Sequence, residues 1–167
     1  MPPISGLKVI RSPIHGYGVI TLRPVTEGDI IVYGDGFLYR ESDDFDDEYS
    51  LILPPYEDNA DGSEGAPMYL DLTDQTRWIN HSCDPNTEVD TGWNKKTKTA
   101  SAWWVALRDI AAGEELFYDY AFSAHLAMPC NCKSDRCRGV IVDEDEIDEV
   151  PEKLKPLVRR PKRRRSA

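Results

Sequence analysis

Two short stretches concentrate the side chains able to do chemistry: "RWINHSCDPN" at 77–86 and "CNCKSDRCRG" at 130–139. The second has the spacing Cys130-x-Cys132-x4-Cys137, which places three sulfurs within eight residues. Three thiolates leave a tetrahedral zinc site one ligand short. Cys83, in the first stretch, is the only one of the four cysteines left to complete it. Such a site would dock the late segment onto the Asn80-His81-Ser82-Cys83 loop. The competing reading is four unrelated thiols, buried or free. A nucleophilic hydrolase is not expected, because it needs a nucleophile, a base and an orienting group. On the zinc reading Cys83 is taken by the metal, and none of the three histidines, His15, His81 and His125, has an evident partner.

The elements that must position these residues read as short β-rich runs between turn residues. Candidate strands are 7–10, 17–22, 29–33, 37–40, 49–53, 68–72, 100–107 and 115–119. Gly, Pro, Asn and Asp separate them, as turns require. One short helix is expected at 74–80 with Thr73 as its N-cap, and 54–67 reads as a long surface loop. No internal repeat or heptad pattern is present. The class is mainly β, with little helix.

A chain of 167 residues most simply makes one domain with a real hydrophobic core. No apolar run approaches the ~18 residues a membrane span needs. The opening "MPPISGLKVIRSP" lacks the features of a signal peptide. The chain therefore reads as soluble and intracellular, where cysteines serve as metal ligands or free thiols rather than disulfides.

The charge is uneven. Net charge is −10, yet residues 151–167 hold eight Lys/Arg against one Glu, which leaves 1–150 at −17 (12 Lys/Arg, 29 Asp/Glu). The acidic runs 41–48 and 143–149 read either as solvated surface or as a field that recruits a basic partner and repels nucleic acid. The terminal "KLKPLVRRPKRRRSA" has too few apolar residues to pack and is expected to be disordered. It could bind nucleic acid, direct nuclear import or neutralise the acidic run before it.

Taken together, several stretches resemble the SET-domain protein lysine methyltransferases that carry a post-SET zinc motif. "RSPIHGYGV" (11–19) is similar to the family's opening glycine motif, "RWINHSCDPN" to its second signature and "GEELFYDY" (113–120) to its third. "CNCKSDRCRG" resembles the post-SET motif, whose fourth zinc ligand in the family is the cysteine of the Asn-His-Ser-Cys element. "YSLIL" (49–53) and "YLDLTDQTRWIN" (69–80) fall between these in the family's order. The match runs from about residue 7 to 141 and accounts for every cysteine.

The resemblance implies a SET-domain fold over 7–122, made of several small β-sheets, short helices and a knot-like C-terminal threading. A post-SET zinc segment would follow at 128–141, and then an acidic-then-basic tail, 142–167, taken as disordered. It implies S-adenosylmethionine as methyl donor and structural Zn2+ on Cys83, Cys130, Cys132 and Cys137. Tyr120 corresponds to the catalytic tyrosine, and Tyr118 to a phenylalanine-or-tyrosine switch that favours mono- and dimethyl product. His15, Gly16, Tyr17 and Gly18 would contact the cofactor. So would Asn80 through its amide, His81 through its main chain, and Tyr49 where cofactor and lysine meet.

The sequence also departs from the family. No cysteine-rich pre-SET segment precedes residue 7, Lys133 stands where glycine is usual, and no aromatic follows Cys137 to stack on adenine. The implied partner is a basic protein or peptide, such as a histone tail, with self-methylation of Lys153, Lys155 or Lys162 as a further candidate. Membrane association is not expected, nor is direct nucleic-acid binding outside the basic tail. Location would be nuclear in a eukaryote or a eukaryotic host, and cytoplasmic otherwise. The alternative is a non-catalytic SET-like module that holds a basic partner.

Overall fold

Branched and aromatic residues in runs of four or five, broken by Gly, Pro and Asp, make short strands that pair with distant ones. The computed structural model describes residues 6–45, 50–57, 59–63, 65–94, 96–97 and 99–161. Its strands are β1 (Leu7–Arg11), β2 (Tyr17–Thr21), β3 (Ile30–Gly34), β4 (Gly36–Arg40), β5 (Ser50–Leu53) and β6 (Met68–Leu72). They continue as β7 (Asn80–His81), β8 (Thr87–Asn94), β9 (Thr99–Ala106), β10 (Phe117–Tyr118), β11 (Met128–Pro129) and β12 (Val140–Ile141). Among the described residues no sheet exceeds three strands. β1 and β2 form a hairpin, β4-β6-β5 and β3-β9-β8 are antiparallel, and β11 pairs with β12.

The pairing that matters most for the site is β7 with β10. It is parallel, with Phe117 opposite Asn80 and Tyr118 opposite His81. The third signature thus lies beside the second as a neighbouring strand.

β9 shows why the core forms where it does. In "TASAWWVA" Ala102, Trp104 and Ala106 are buried at alternate positions, the period of a strand with one face inward. Trp104 is fully buried, among Leu53, Leu72, Ile79, Ile110 and Leu116. Among the described residues 54–67 contain no strand or helix, as expected. The loop is anchored by the Trp93 indole, which donates to the Pro54 carbonyl at 3.0 Å, and by the Tyr56 ring against Trp93.

Three expectations are corrected. The helix at 74–80 shortens to a 3-10 turn, Gln75–Trp78, and its cap is Asp74 rather than Thr73. The Asp74 carboxylate accepts from the Thr76 amide at 2.8 Å, while the Thr73 amide and hydroxyl are taken by the Asp35 carbonyl. The strand expected at 115–119 shrinks to Phe117–Tyr118, with Glu115 making an isolated bridge to Ile20.

The third correction concerns the tail. Residues 142–161 are folded, with 3-10 turns at Glu144–Glu146 and Lys155–Leu157. Val142, Val150 and Leu154 are buried with Ala124 and Val140, and Ile147 and Val158 pack alongside. Five widely spaced apolar residues make this satellite core, so the segment's average polarity hid it. Arg160 pairs with Asp148, so the basic stretch does neutralise part of the acidic run. No helix among the described residues is long and apolar enough to cross a membrane.

Candidate functional site

The site forms where three segments meet: the β1–β2 turn, the Asn80–Asn86 loop and the stretch 115–122. Asn80, buried at the start of β7, spends its amide donors on the backbone of the turn. Its Nδ2 lies 2.7 Å from the Tyr17 carbonyl, 3.4 Å from that of His15 and 3.1 Å from Glu115 Oε1. The Glu115 carboxylate covers Gly18 so closely that a Cβ there would collide with it. A larger residue at 18 would have to push the Glu115 carboxylate aside, away from Asn80. Asn80 supports the first expected cofactor segment, and Glu115 is a partner the sequence did not reveal.

Asn86 joins the other two segments. Its Nδ2 donates to the Glu115 carbonyl at 2.8 Å, and its Oδ1 accepts from the Phe117 amide at 2.8 Å. Thr87 adds a hydroxyl bond to the Phe117 carbonyl at 2.8 Å. Asn86 is almost wholly buried with both ends of its amide satisfied, which holds β10 in register beside β7.

Tyr118, Tyr120 and Phe122 then form an aromatic row, with ring centroids 4.8 Å and 5.5 Å apart. The Tyr120 hydroxyl donates to the Ile79 carbonyl at 3.0 Å. Tyr118 packs edge-on against Trp104, and burial, aided by Tyr120, holds its phenol pKa well above the ordinary value. Both hydroxyls belong to a largely apolar wall, where an amine would be stripped of water. Tyr17 rests on Trp78 at 5.3 Å, with the Arg11 guanidinium 4.3 Å from the centre of its ring. Tyr49 lies outside the described residues.

His81 links this wall to the cysteines. Its Nδ1 accepts the Tyr120 amide at 3.2 Å, which leaves the ring proton on Nε2. Nε2 lies 3.2 Å from Cys83 Sγ, so it donates to the sulfur and has no lone pair to offer a metal. The sequence reading gave this side chain no role.

The four cysteines gather in one buried cluster with no disulfide among them. Cys83 Sγ and Cys130 Sγ are 3.7 Å apart. Tetrahedral zinc with bonds of ~2.3 Å sets its sulfurs about 3.8 Å apart. The ligand atoms of His81, Cys83, Cys130 and Cys132 all lie within 4.8 Å of one another. Cys137 joins the same cluster, its sulfur accepting the Gly139 amide at 3.4 Å. The donor set fits a structural zinc ion. A hydrogen bond from Cys130, with those from His81 and the Arg138 amide, lowers the Cys83 thiol to about 4, while the shared proton and burial push Cys130 up.

Arg138 was not singled out from the sequence, yet it holds the zinc segment to the tyrosine loop. Buried beside Cys137, it grips Asp119 through NH1 and NH2, and its amide donates to Cys83 Sγ at 3.4 Å. Its carbonyl accepts the Arg159 amide at 2.7 Å. Lys133 adopts φ 58°, the left-handed conformation that glycine takes freely, and its ammonium reaches the Pro13 carbonyl at 3.1 Å. The turn geometry usual for glycine is thus kept, and the side chain bridges to the β1–β2 turn.

Residues 16–121 match the SET domain family. The chain is 34% identical over 145 residues to human histone-lysine N-methyltransferase 2B, covering 78% of this chain and 5% of that protein. It is 32% identical over 161 residues to the Drosophila melanogaster histone-lysine N-methyltransferase ash1, covering 91% and 7%. It therefore spans less than a tenth of the length of these two relatives. In fold it is similar to the crystal structure of Arabidopsis thaliana SUVH6 in complex with SAM, with a TM-score of 0.66 and 22% identity over 81% of this chain and 33% of that one. With the matched residues covering Gly16 to Gly18, the β7–β10 pair, Tyr118 and Tyr120, the chain belongs to the SET domain family.

Proposed function

We propose that the protein is an S-adenosylmethionine-dependent protein-lysine N-methyltransferase. The observation that carries this reading is the aromatic wall of Tyr118, Tyr120 and Phe122, with the Tyr120 hydroxyl fixed on the Ile79 carbonyl beside the Asn80-supported glycine turn. A lysine amine with pKa ~10.4 is protonated at neutral pH and not nucleophilic. Entry into an apolar channel disfavours its charged form, and the walls fix its approach. The bound cofactor supplies the methyl group as a sulfonium electrophile. Tyr120 orients the amine, and the backbone of residues 15–18, with Asn80 and His81 behind it, shapes the cofactor's side. No nucleophilic side chain is needed.

A cavity of about 450 Å3 between Ile14 and the Cys130–Cys137 segment supports room for that cofactor beside the turn. Zinc on Cys83, Cys130, Cys132 and Cys137 would hold that segment in place, while His81 donates to the Cys83 sulfur. The Tyr118 hydroxyl favours mono- and dimethyl product. The charge of −17 over residues 1–150 suits a basic protein tail as substrate, a histone tail among them, and with it a chromatin location. The two curated relatives named above are histone-lysine N-methyltransferases. Of the tail lysines, Lys155 is paired with Glu152, so methylation in cis must first free it, whereas Lys162 lies outside the described residues. The test is mass spectrometry of basic proteins incubated with S-adenosylmethionine and the purified chain. Gain of 14 Da per methyl on lysine is expected. No transfer to any of them, with cofactor binding intact, would instead identify a binding module.

A further inference from the structure

The post-SET segment lacks an aromatic after Cys137, and the structure shows what stands in that place. Gly139 is closed in by the Leu157 carbonyl, which a Cβ at 139 would strike, and the next neighbour is the Arg159 side chain at 3.5 Å. The folded tail therefore lies directly on the strand that leaves the cysteine cluster. It is fixed there by the Arg159 amide on the Arg138 carbonyl and by burial of Leu154 with Val140, Val142 and Val150.

Arg159 lines the cavity of about 450 Å3 together with Ile14, Asn131, Lys133 and Ser134. The Lys133 ammonium is engaged by the Pro13 carbonyl. Among the described residues the Arg159 guanidinium enters no hydrogen bond or ion pair, so it is the cation left available to a ligand. The other walls supply an apolar contact from Ile14 and amide and hydroxyl groups from Asn131 and Ser134. That combination suits a flat heterocycle with polar edges better than a carboxylate alone.

We propose that Arg159 completes the cofactor pocket from the tail, its guanidinium plane covering the adenine face of S-adenosylmethionine where a ring would otherwise stack. The inference rests on the methyltransferase reading above. A guanidinium is planar, weakly hydrated and permanently charged, and it stacks on π-faces. The tail is thereby part of the binding site.

Calorimetric titration of the full chain with S-adenosylhomocysteine tests this, using Arg159→Ala, Arg159→Trp and Arg159→Lys with zinc content measured in each. Arg159→Ala should weaken binding about tenfold, Arg159→Trp should stay within about threefold of wild type, and Arg159→Lys should lose most of the difference. Wild-type affinity in Arg159→Ala would overturn the inference. So would a pattern in which Lys keeps affinity and Trp loses it, since that marks an ion pair to the carboxylate. Failure of the wild type to bind would overturn the methyltransferase reading itself.

Discussion

The Arg138 guanidinium binds the Asp119 carboxylate through two parallel hydrogen bonds of 2.6 and 2.7 Å. One partner follows a zinc-ligand candidate and the other precedes the candidate catalytic tyrosine. Separately, the His81 imidazole accepts the Tyr120 amide at Nδ1 and donates from Nε2 to Cys83 Sγ. The pair and the imidazole therefore tie the metal segment to the tyrosine loop by two routes. Breaking a largely buried pair costs ~2–4 kcal/mol, less than a fully buried one because Asp119 keeps some water contact.

Asp119→Asn keeps the shape and removes the charge. Turnover should fall about tenfold or more, while zinc content and S-adenosylhomocysteine affinity remain near wild type. A lower unfolding midpoint with unchanged kcat would show that the pair acts on stability alone. In a double-mutant cycle with Arg138→Met the two losses in kcat should not add.

Zinc removal should act through the same connection. One Zn2+ per chain is expected by native mass spectrometry, and Cys132→Ser should abolish it. Because folding of the 130–139 segment and metal binding are one process, the apo protein should lose ordered structure after about residue 128 and lose methyl transfer with it. A metal-free wild type that retains full activity would refute the assignment.

Tyr120→Phe removes the hydroxyl held by the Ile79 carbonyl and leaves the aromatic packing. A kcat loss of at least about a hundredfold is expected with cofactor affinity within about threefold. Unchanged turnover would remove Tyr120 from the mechanism.

On the proposed reading, Tyr118 sets the product. Its hydroxyl is neutral across physiological pH, as phenols are, burial displaces its pKa further upward, and it can hold a water where a further methyl would sit. A difference of ~1.4 kcal/mol slows the next transfer tenfold. Wild-type product should be mainly monomethyl-lysine with some dimethyl. Tyr118→Phe should shift it upward without loss of the first transfer, as read by intact-mass distributions over time.

Much of this was legible in the sequence because it rests on local pattern. The alternation in β9, the four cysteines and the ordered signatures all carry their meaning within a few neighbouring residues. What stayed hidden depends on distant partners. Strand β8, "TEVDTGWN", is too polar and glycine-broken to read as a strand, yet it pairs residue by residue with β9. Asn86 looked like a turn residue and proved to be the clamp on Phe117. Arg138 and Asp119 belong to separate motifs, so neither sequence context reveals their contact. The tail misled because five apolar residues spread over 142–158 barely register in composition but meet in space.

The parallel pairing of β7 with β10, and the meeting of Cys83 with Cys130 and Cys137, join segments that are synthesised at different times. Cys83 is polymerised 54 residues before Cys137. At ~5–20 residues per second it spends about 3–10 seconds as a nascent thiol without its sulfur partners. His81, which will donate to that sulfur, is equally unpaired until Tyr120 arrives. The chain thus emerges with one thiol well ahead of the three that complete its cluster.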